Sequence, residues 1–239
     1  MSGNLASTAA TELSLDAASK SDIPTFIQIH AAAFAKDNAV RLMFKSTSEY
    51  TEKLHGMLTS QVADPNYSVI KAVRKSTDEV LGWLGFEWIG YPSSDGQYDG
   101  KEVQIPVNPL AASDAEPKGG ERTLRSVMHA DFRRVQDEWM KGKRYIHIGT
   151  VVVHPSHQGK GVGSALVRFA TSKADSNQDP CWIQSSPAAH GVYYHCGFRD
   201  VGRLEVDLRE FADGGSEGKE GWGIFEFVYM LRLPENRTA

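Results

Sequence analysis

Three glycines at alternate positions, Gly159, Gly161 and Gly163, stand between the apolar run Val151-Val152-Val153 and a segment in which Val162, Ala165, Leu166, Phe169 and Ala170 fall at i, i+3, i+4, i+7 and i+8. That spacing starts a helix close to Gly161, with its apolar face turned inward. The first N–H groups of a helix find no acceptor inside it and lie at the positive end of the macrodipole. A glycine turn there can bring several backbone donors onto an anion such as phosphate. The plainer alternative is a turn that only joins strand to helix. Two other phosphate loops fail on residue order. A P-loop needs Gly-Lys-Ser/Thr, whereas Gly161 follows Lys160, and the dinucleotide fingerprint G-x-G-x-x-G meets Ser164 where its last glycine should be.

The stretch "VVVHPSHQGKGVGSAL" resembles the acetyl-CoA signature of the GNAT superfamily of N-acetyltransferases, V-x-P-x-x-Q/R-x-x-G-x-G/A, with Gln158, Gly161 and Gly163 at its positions. A second stretch, "VYYHCGF", is similar to that family's L-Y-x-x-x-G-F, with Tyr193, Gly197 and Phe198 in place. The resemblance runs from about Thr11 to the last strand. It implies an α/β acyltransferase fold of one domain, with a mixed, mostly antiparallel central sheet flanked by helices. It also implies acetyl-CoA as cosubstrate and direct attack by an amine in a ternary complex. On this resemblance the CoA pyrophosphate lies on the backbone of Gln158, Gly159, Lys160, Gly161, Val162, Gly163 and Ser164. The pantetheine arm runs beside Val151, Val152 and Val153, hydrogen-bonded to the backbone of Val151 and Val153, and the Val151 N–H faces the thioester carbonyl. Ser186 stands where an Asn often contacts the pantetheine amide. Tyr193 takes the position of the tyrosine near the CoA sulfur, as general acid. His147, eleven residues before Gln158, takes that of a base acting directly or through water, a role that an ordinary histidine pKa near 6.5 would suit. A core tyrosine and a packed strand histidine are the structural alternatives for these two.

Elements that must position these residues are readable around them. "TELSLDAAS" alternates as a first strand, and "SDIPTFIQIHAAAF" reads as a helix with Ser21 or Asp22 as N-cap and Pro24 in its first turn. Leu54, Met57, Leu58 and Val62 keep helical spacing until Asp64-Pro65. "YSVIKAVRK" and "EVLGWLGFEWIGY" flank a short polar link, as in a hairpin. Leu124, Val127, Met128, Phe132, Val135 and Trp139 make one apolar stripe, read as a helix of about six turns. "YIHIGTVVV", "CWIQSS", "FRDVGRLEVDL" and "GIFEFVYMLRL" read as strands. Residues 1–10 are expected to be a disordered N-terminus. Residues 11–235 are expected to form the domain, with an insertion at about 92–120 that is rich in Pro, Gly, Ser and Asp and without periodicity.

Composition narrows the partners. The 239 residues carry a net charge of -4, without the basic excess that nucleic-acid binding requires, so no nucleic acid is expected. No apolar run reaches the length of a membrane span and no signal-peptide pattern opens the sequence, so no membrane is expected either. Two cysteines, Cys181 and Cys196, form neither a metal pattern nor a disulfide framework, which points to a reducing, cytoplasmic setting. The histidines have no metal-ligand spacing, and no metal is expected. Phe34, Asp37, Phe44, Glu87 and Trp222 come from regions where the family builds its acceptor side, and an aromatic and acidic lining would suit a cationic small amine. The leading reading is N-acetylation of a small-molecule amine. A protein or peptide N-acetyltransferase and a non-catalytic acyl-CoA-binding domain are the rivals.

Overall fold

The computed structural model describes residues 13–44, 46–91, 122–213 and 222–235. The segment 1–10 and the insertion 92–120 lie outside the described residues.

The chain starts with strand β1 (Leu13–Ala17) and helix α1 (Ile23–Phe34), which has Asp22 at its N-cap and Pro24 in its first turn. A short helix α2 (Asn38–Met43) follows, capped by Asp37, whose side chain accepts from the Val40 N–H. Ser46 caps helix α3 (Thr47–Ala63) in the same way through the Glu49 N–H. Strands β2 (Tyr67–Arg74) and β3 (Glu79–Ile89) form the expected antiparallel hairpin. Helix α4 (Leu124–Met140) has 17 residues, roughly five turns rather than six, because Lys141 leaves the helical region and Gly142 takes a positive φ. Strand β4 (Tyr145–Val153), helix α5 (Val162–Asn177), strand β5 (Cys181–Ser185), helix α6 (His190–His195) and strands β6 (Arg199–Asp207) and β7 (Ile224–Arg232) complete the order.

The described strands make a seven-stranded sheet in the order β1-β2-β3-β4-β5-β7-β6. Every neighbouring pair is antiparallel except β4 and β5. Helix α5 covers one face, where Val162, Leu166, Val167 and Ala170 pack on Ile146, Ile148, Leu84 and Phe86. Burying Leu166 and Val167 stabilises by roughly 1.5–3 kcal/mol each, more than helix propensity supplies, so packing on the sheet is what fixes the start of α5 at the glycine turn. Helices α1 and α3 cover the other face through Phe26, Leu54 and Leu58 against Trp83 and Val152. Helix α4 lies over the C-terminal half, with Phe132, Val135 and Met140 against Tyr145, Trp182 and Tyr229.

Two features of β4 escape a sequence reading. Gly85 pairs with Thr150 but Phe86 pairs with Ile148, so Gly149 is an extra, bulged residue. A Cβ on Gly149 would lie 3.0 Å from the Tyr67 hydroxyl, and one on Gly85 2.8 Å from it, so the phenol occupies the space that two side chains would need. The second feature is the parallel pairing of β4 with β5, which ends after Ile146 with Cys181 and His147 with Trp182. Beyond His147, before the bulge is reached, the two strands part.

Candidate active site

The glycine turn has the backbone that an anion cradle needs. Gly159 and Gly161 take φ of +71° and +83°, and a Cβ on either would meet nothing within 4 Å, so both face open space in a conformation that side chains disfavour. The ladder of α5 opens with the Ala165 N–H donating to the Gly161 carbonyl, at 3.0 Å. The N–H groups of Val162, Gly163 and Ser164 therefore have no acceptor within the helix. Gly163 differs from its two companions. It lies inside the helix at ordinary φ, and its Cβ would make van der Waals contacts of 3.7 and 3.8 Å with Val153 and Val192. The turn thus requires Gly159 and Gly161 and only tolerates Gly163. The Gln158 side-chain amide donates to the Val153 carbonyl at 3.1 Å and ties the turn to β4, and the Lys160 ammonium donates to the Ser156 carbonyl at 2.8 Å within the loop, so both side chains are engaged and leave the anion to the backbone.

The His154 N–H donates to the Leu81 carbonyl, toward β3. By strand alternation the backbone groups of Val152 point the same way, and those of Val151 and Val153 point to the side where β5 has parted from β4. The Val153 carbonyl is taken by the Gln158 amide, which leaves the Val151 N–H and C=O and the Val153 N–H facing that side; strand groups of this kind ending at an anion turn form a site for an extended arm carrying phosphate at one end.

Beside that edge lies a cavity of about 200 Å³. Val151, His147, Ser186 and Tyr193 all line it, so the structure brings four of the expected site residues together. Tyr193 is buried on α6, its ring 5.9 Å from that of Phe198 at an edge angle. Gly197 makes that contact possible. With φ at +93° it turns the chain so that the Phe198 N–H donates to the Tyr193 carbonyl. The Tyr193 hydroxyl makes no hydrogen bond among the described residues, and burial pushes its pKa up. It keeps its proton through the neutral range, as a donor must. Tyr194 points outward and is half exposed.

His147 is buried in β4 with its ring 5.5 Å from that of Phe132. Burial lowers its pKa to about 4, which corrects the expectation of a value near 6.5: the imidazole is neutral throughout the neutral range, a weak base needing no prior deprotonation. On β3 directly opposite, buried Glu87 is raised by desolvation and then by Asp64 to about 8, so it stays largely protonated. His30 of α1 also lines the cavity, its Nδ1 in a hydrogen bond with the Tyr50 hydroxyl, and burial lowers it to about 4. A histidine inside the apolar run "FIQIHAAAF" was the sequence signal for this residue. Of the five residues expected around the acceptor, Phe34, Asp37 and Phe44 line the cavity, whereas Glu87 and Trp222 do not. Trp222 instead lies against the Arg41 guanidinium, 5.2 Å from the ring centre. The expected acidic lining is corrected as well: Asp37 is the only carboxylate among the described lining residues, and it is engaged as the α2 cap.

These three buried groups set a pH optimum for stability. Between pH 4.5 and 6.5 the unfolded chain protonates His30 and His147 while the folded chain does not, so stability rises with pH. Glu87 acts oppositely, because its folded pKa is the higher one and its contribution is lost as pH rises toward about 8. Two histidines against one carboxyl leave a net uptake of one proton on unfolding below pH 6.5, worth about 1.4 kcal/mol per pH unit, and a net release of one above it. Thermal melting should therefore peak near pH 6.5 and fall by roughly 3–5 °C per unit on either side. In Glu87→Gln the alkaline decline should disappear; a melting curve of unchanged slope above pH 6.5 would refute the assignment of Glu87.

A mixed sheet parted between β4 and β5, with a helix N-terminus closing the gap, defines the acyltransferase fold of the GNAT type. A family model described as an acetyltransferase (GNAT) domain matches residues 126–200, from within α4 to the start of β6. That match spans about a third of the chain. An uncharacterized N-acetyltransferase of Schizosaccharomyces pombe is 42% identical over 57 residues, which span 24% of this chain and 24% of that relative. Among solved structures, arylalkylamine N-acetyltransferase 2 from Aedes aegypti aligns with a TM-score of 0.61 at 11% identity, covering 93% of this chain and 99% of its own. The yncA protein of Salmonella typhimurium, solved with its cofactor acetyl-CoA, aligns at 0.52 and 15% identity, covering 96% and 98%. Among the described residues no group of three or more His, Cys, Asp or Glu is placed to hold a metal ion, and no helix is long and apolar enough to cross a membrane.

Proposed function

We propose that this chain is an acetyl-CoA-dependent N-acetyltransferase acting on a small-molecule amine. The observation that carries the reading is convergence: the open β4 edge and the glycine turn, which fit a pantetheine arm and its pyrophosphate, lead to the same cavity that holds His147 and Tyr193. When bound, acetyl-CoA would supply the thioester. The backbone N–H groups of Val162, Gly163 and Ser164 would hold its pyrophosphate, and the Val151 N–H would donate to the carbonyl oxygen as it gains charge. His147, or a water it holds, accepts the proton that the amine nitrogen loses as the C–N bond forms. Tyr193 gives a proton to the departing sulfur as the C–S bond breaks, and the two protons balance to leave an amide and a free thiol. Cys181 and Cys196 are both free and buried, and burial raises both thiols, which argues against a cysteine nucleophile and supports the cytoplasmic setting proposed here. A cavity of this size suits a small acceptor.

The test is release of free thiol from acetyl-CoA against a panel of amines and peptide N-termini, run beside calorimetry of CoA binding. Amine-dependent thiol release establishes the transferase. Tight CoA binding with no release on any acceptor would instead establish a non-catalytic acyl-CoA-binding domain, and turnover confined to peptides would move the reading to a protein acetyltransferase.

A further inference from the structure

We propose that the acceptor is a monoamine whose single amino group is carried on an aromatic or similarly flat apolar body; this rests on the acetyltransferase reading above and narrows it. The cavity wall beyond His147 is built from Phe34 of α1, Met43 and Phe44 at the end of α2, Phe132 of α4, and Phe225 and Phe227 of β7. Four separate elements thus present apolar faces to one space. Phe225 and Phe227 lie 4.6 Å apart, and Phe44 meets Tyr50 edge-on at 5.0 Å, so the rings are held by one another and form fixed walls. An apolar cavity of about 150 Å³ is enough to hold benzene, so about 200 Å³ accommodates one ring with a short amine-bearing arm.

Charge excludes the main competitors. A polyamine or an aminoglycoside brings several ammonium groups, each needing a carboxylate or water when buried. The only carboxylate on the described wall, Asp37, already accepts the Val40 N–H at 2.9 Å as the α2 cap. Tyr193 aside, the other polar side chains on the described wall are the His30, His129 and His147 imidazoles with Thr150, Gln184 and Ser186, uncharged or weakly basic groups that take a neutral nitrogen or its leaving proton but supply no negative charge for a second cation. An apolar wall also favours the uncharged form of the amine, which is the nucleophile. The body of the acceptor therefore sits among the phenyl rings, and its one nitrogen reaches the β4 edge beside His147.

Thiol release measured with 2-phenylethylamine, hexylamine, spermidine and a lysine-bearing peptide tests this directly. The expected kcat/KM is at least a hundredfold higher for 2-phenylethylamine than for spermidine or the peptide, with hexylamine between. Faster turnover of spermidine or the peptide would overturn the monoamine proposal while leaving the acetyltransferase reading intact. Failure of all four acceptors would overturn both when acetyl-CoA does not bind by calorimetry, and the catalytic reading together with this one when it does. A second test uses the half-buried Met128 of α4, which faces the same cavity on a good helix position. Met128→Glu should raise the KM for 2-phenylethylamine at least tenfold and lower that for a diamine. A KM for the aryl amine equal to the wild-type value in folded Met128→Glu would remove α4 from the acceptor wall and overturn the proposal.

Discussion

Tyr193→Phe should lower kcat by about 10²- to 10⁴-fold while leaving the Kd for acetyl-CoA nearly unchanged. The substitution deletes one oxygen and little else. The ring keeps its edge contact with Phe198, and the hydroxyl has no hydrogen bond among the described residues to lose, so neither fold nor cavity shape depends on it. What disappears is the proton donor for the departing thiolate. Because burial pushes the phenol upward, the wild-type protein holds that proton at every pH where an amine is assayed, and the rate deficit should be constant from about pH 6 to 9. Pre-steady-state measurement of thiol release at saturating acceptor reads the chemical step itself. Full activity in Tyr193→Phe would withdraw the acid role from this residue and leave water as the donor.

Gly161→Val should weaken CoA binding by about a hundredfold or more, equivalent to roughly 3 kcal/mol. Two separate physical terms lead there. At φ of +83° a β-branched side chain is strained by about 1–2 kcal/mol or more, which shows as lost stability in the free protein. The side chain would also extend into the open space beside the unpaired N–H groups of Val162, Gly163 and Ser164, where an anion would lie. Gly163→Ala separates these effects from a general sensitivity of the turn. Its Cβ meets only ordinary contacts with Val153 and Val192, and alanine is the better helix former by about 1 kcal/mol, so that variant should be as stable as wild type or more so. Calorimetry showing equal CoA affinity in folded Gly161→Val would remove the turn from the binding site.

Long periodic segments were legible in the sequence. The stripe from Leu124 to Trp139, the alternation on either side of the β2–β3 turn and the apolar run into Gly159 each span enough residues for their period to show, and each became the element expected. Helix α2 was not legible because six residues are less than two turns, and its signal is one cap, Asp37, among several polar residues. The bulge at Gly149 depends on which residues of β3 lie opposite, a relation that a single strand does not contain. In the site, the glycines were legible as a group, but the division between Gly161, which needs its positive φ, and Gly163, which does not, emerges only from backbone angles. His147 was legible as a position and misread as a titrating group, since the depth that lowers it to about 4 is supplied by Phe132 and the covering helix α4, distant in the chain. The acceptor wall shows the same limit: residues from α1, α2, α4 and β7 meet there, and no local pattern brings them together.

The brief pairing of β4 with β5 gives the molecule a seam. Two residue pairs join the ribbon β1-β2-β3-β4 to the ribbon β5-β7-β6, and the rest of that boundary is unsewn backbone. An extended molecule laid along Val151 and Val153 would act as the missing thread, so part of the cohesion between the two ribbons would reside in something that is not part of the polypeptide. Folding and occupancy would then draw on the same interactions, and a protein waiting for its ligand would be mechanically looser across the line where its chemistry takes place.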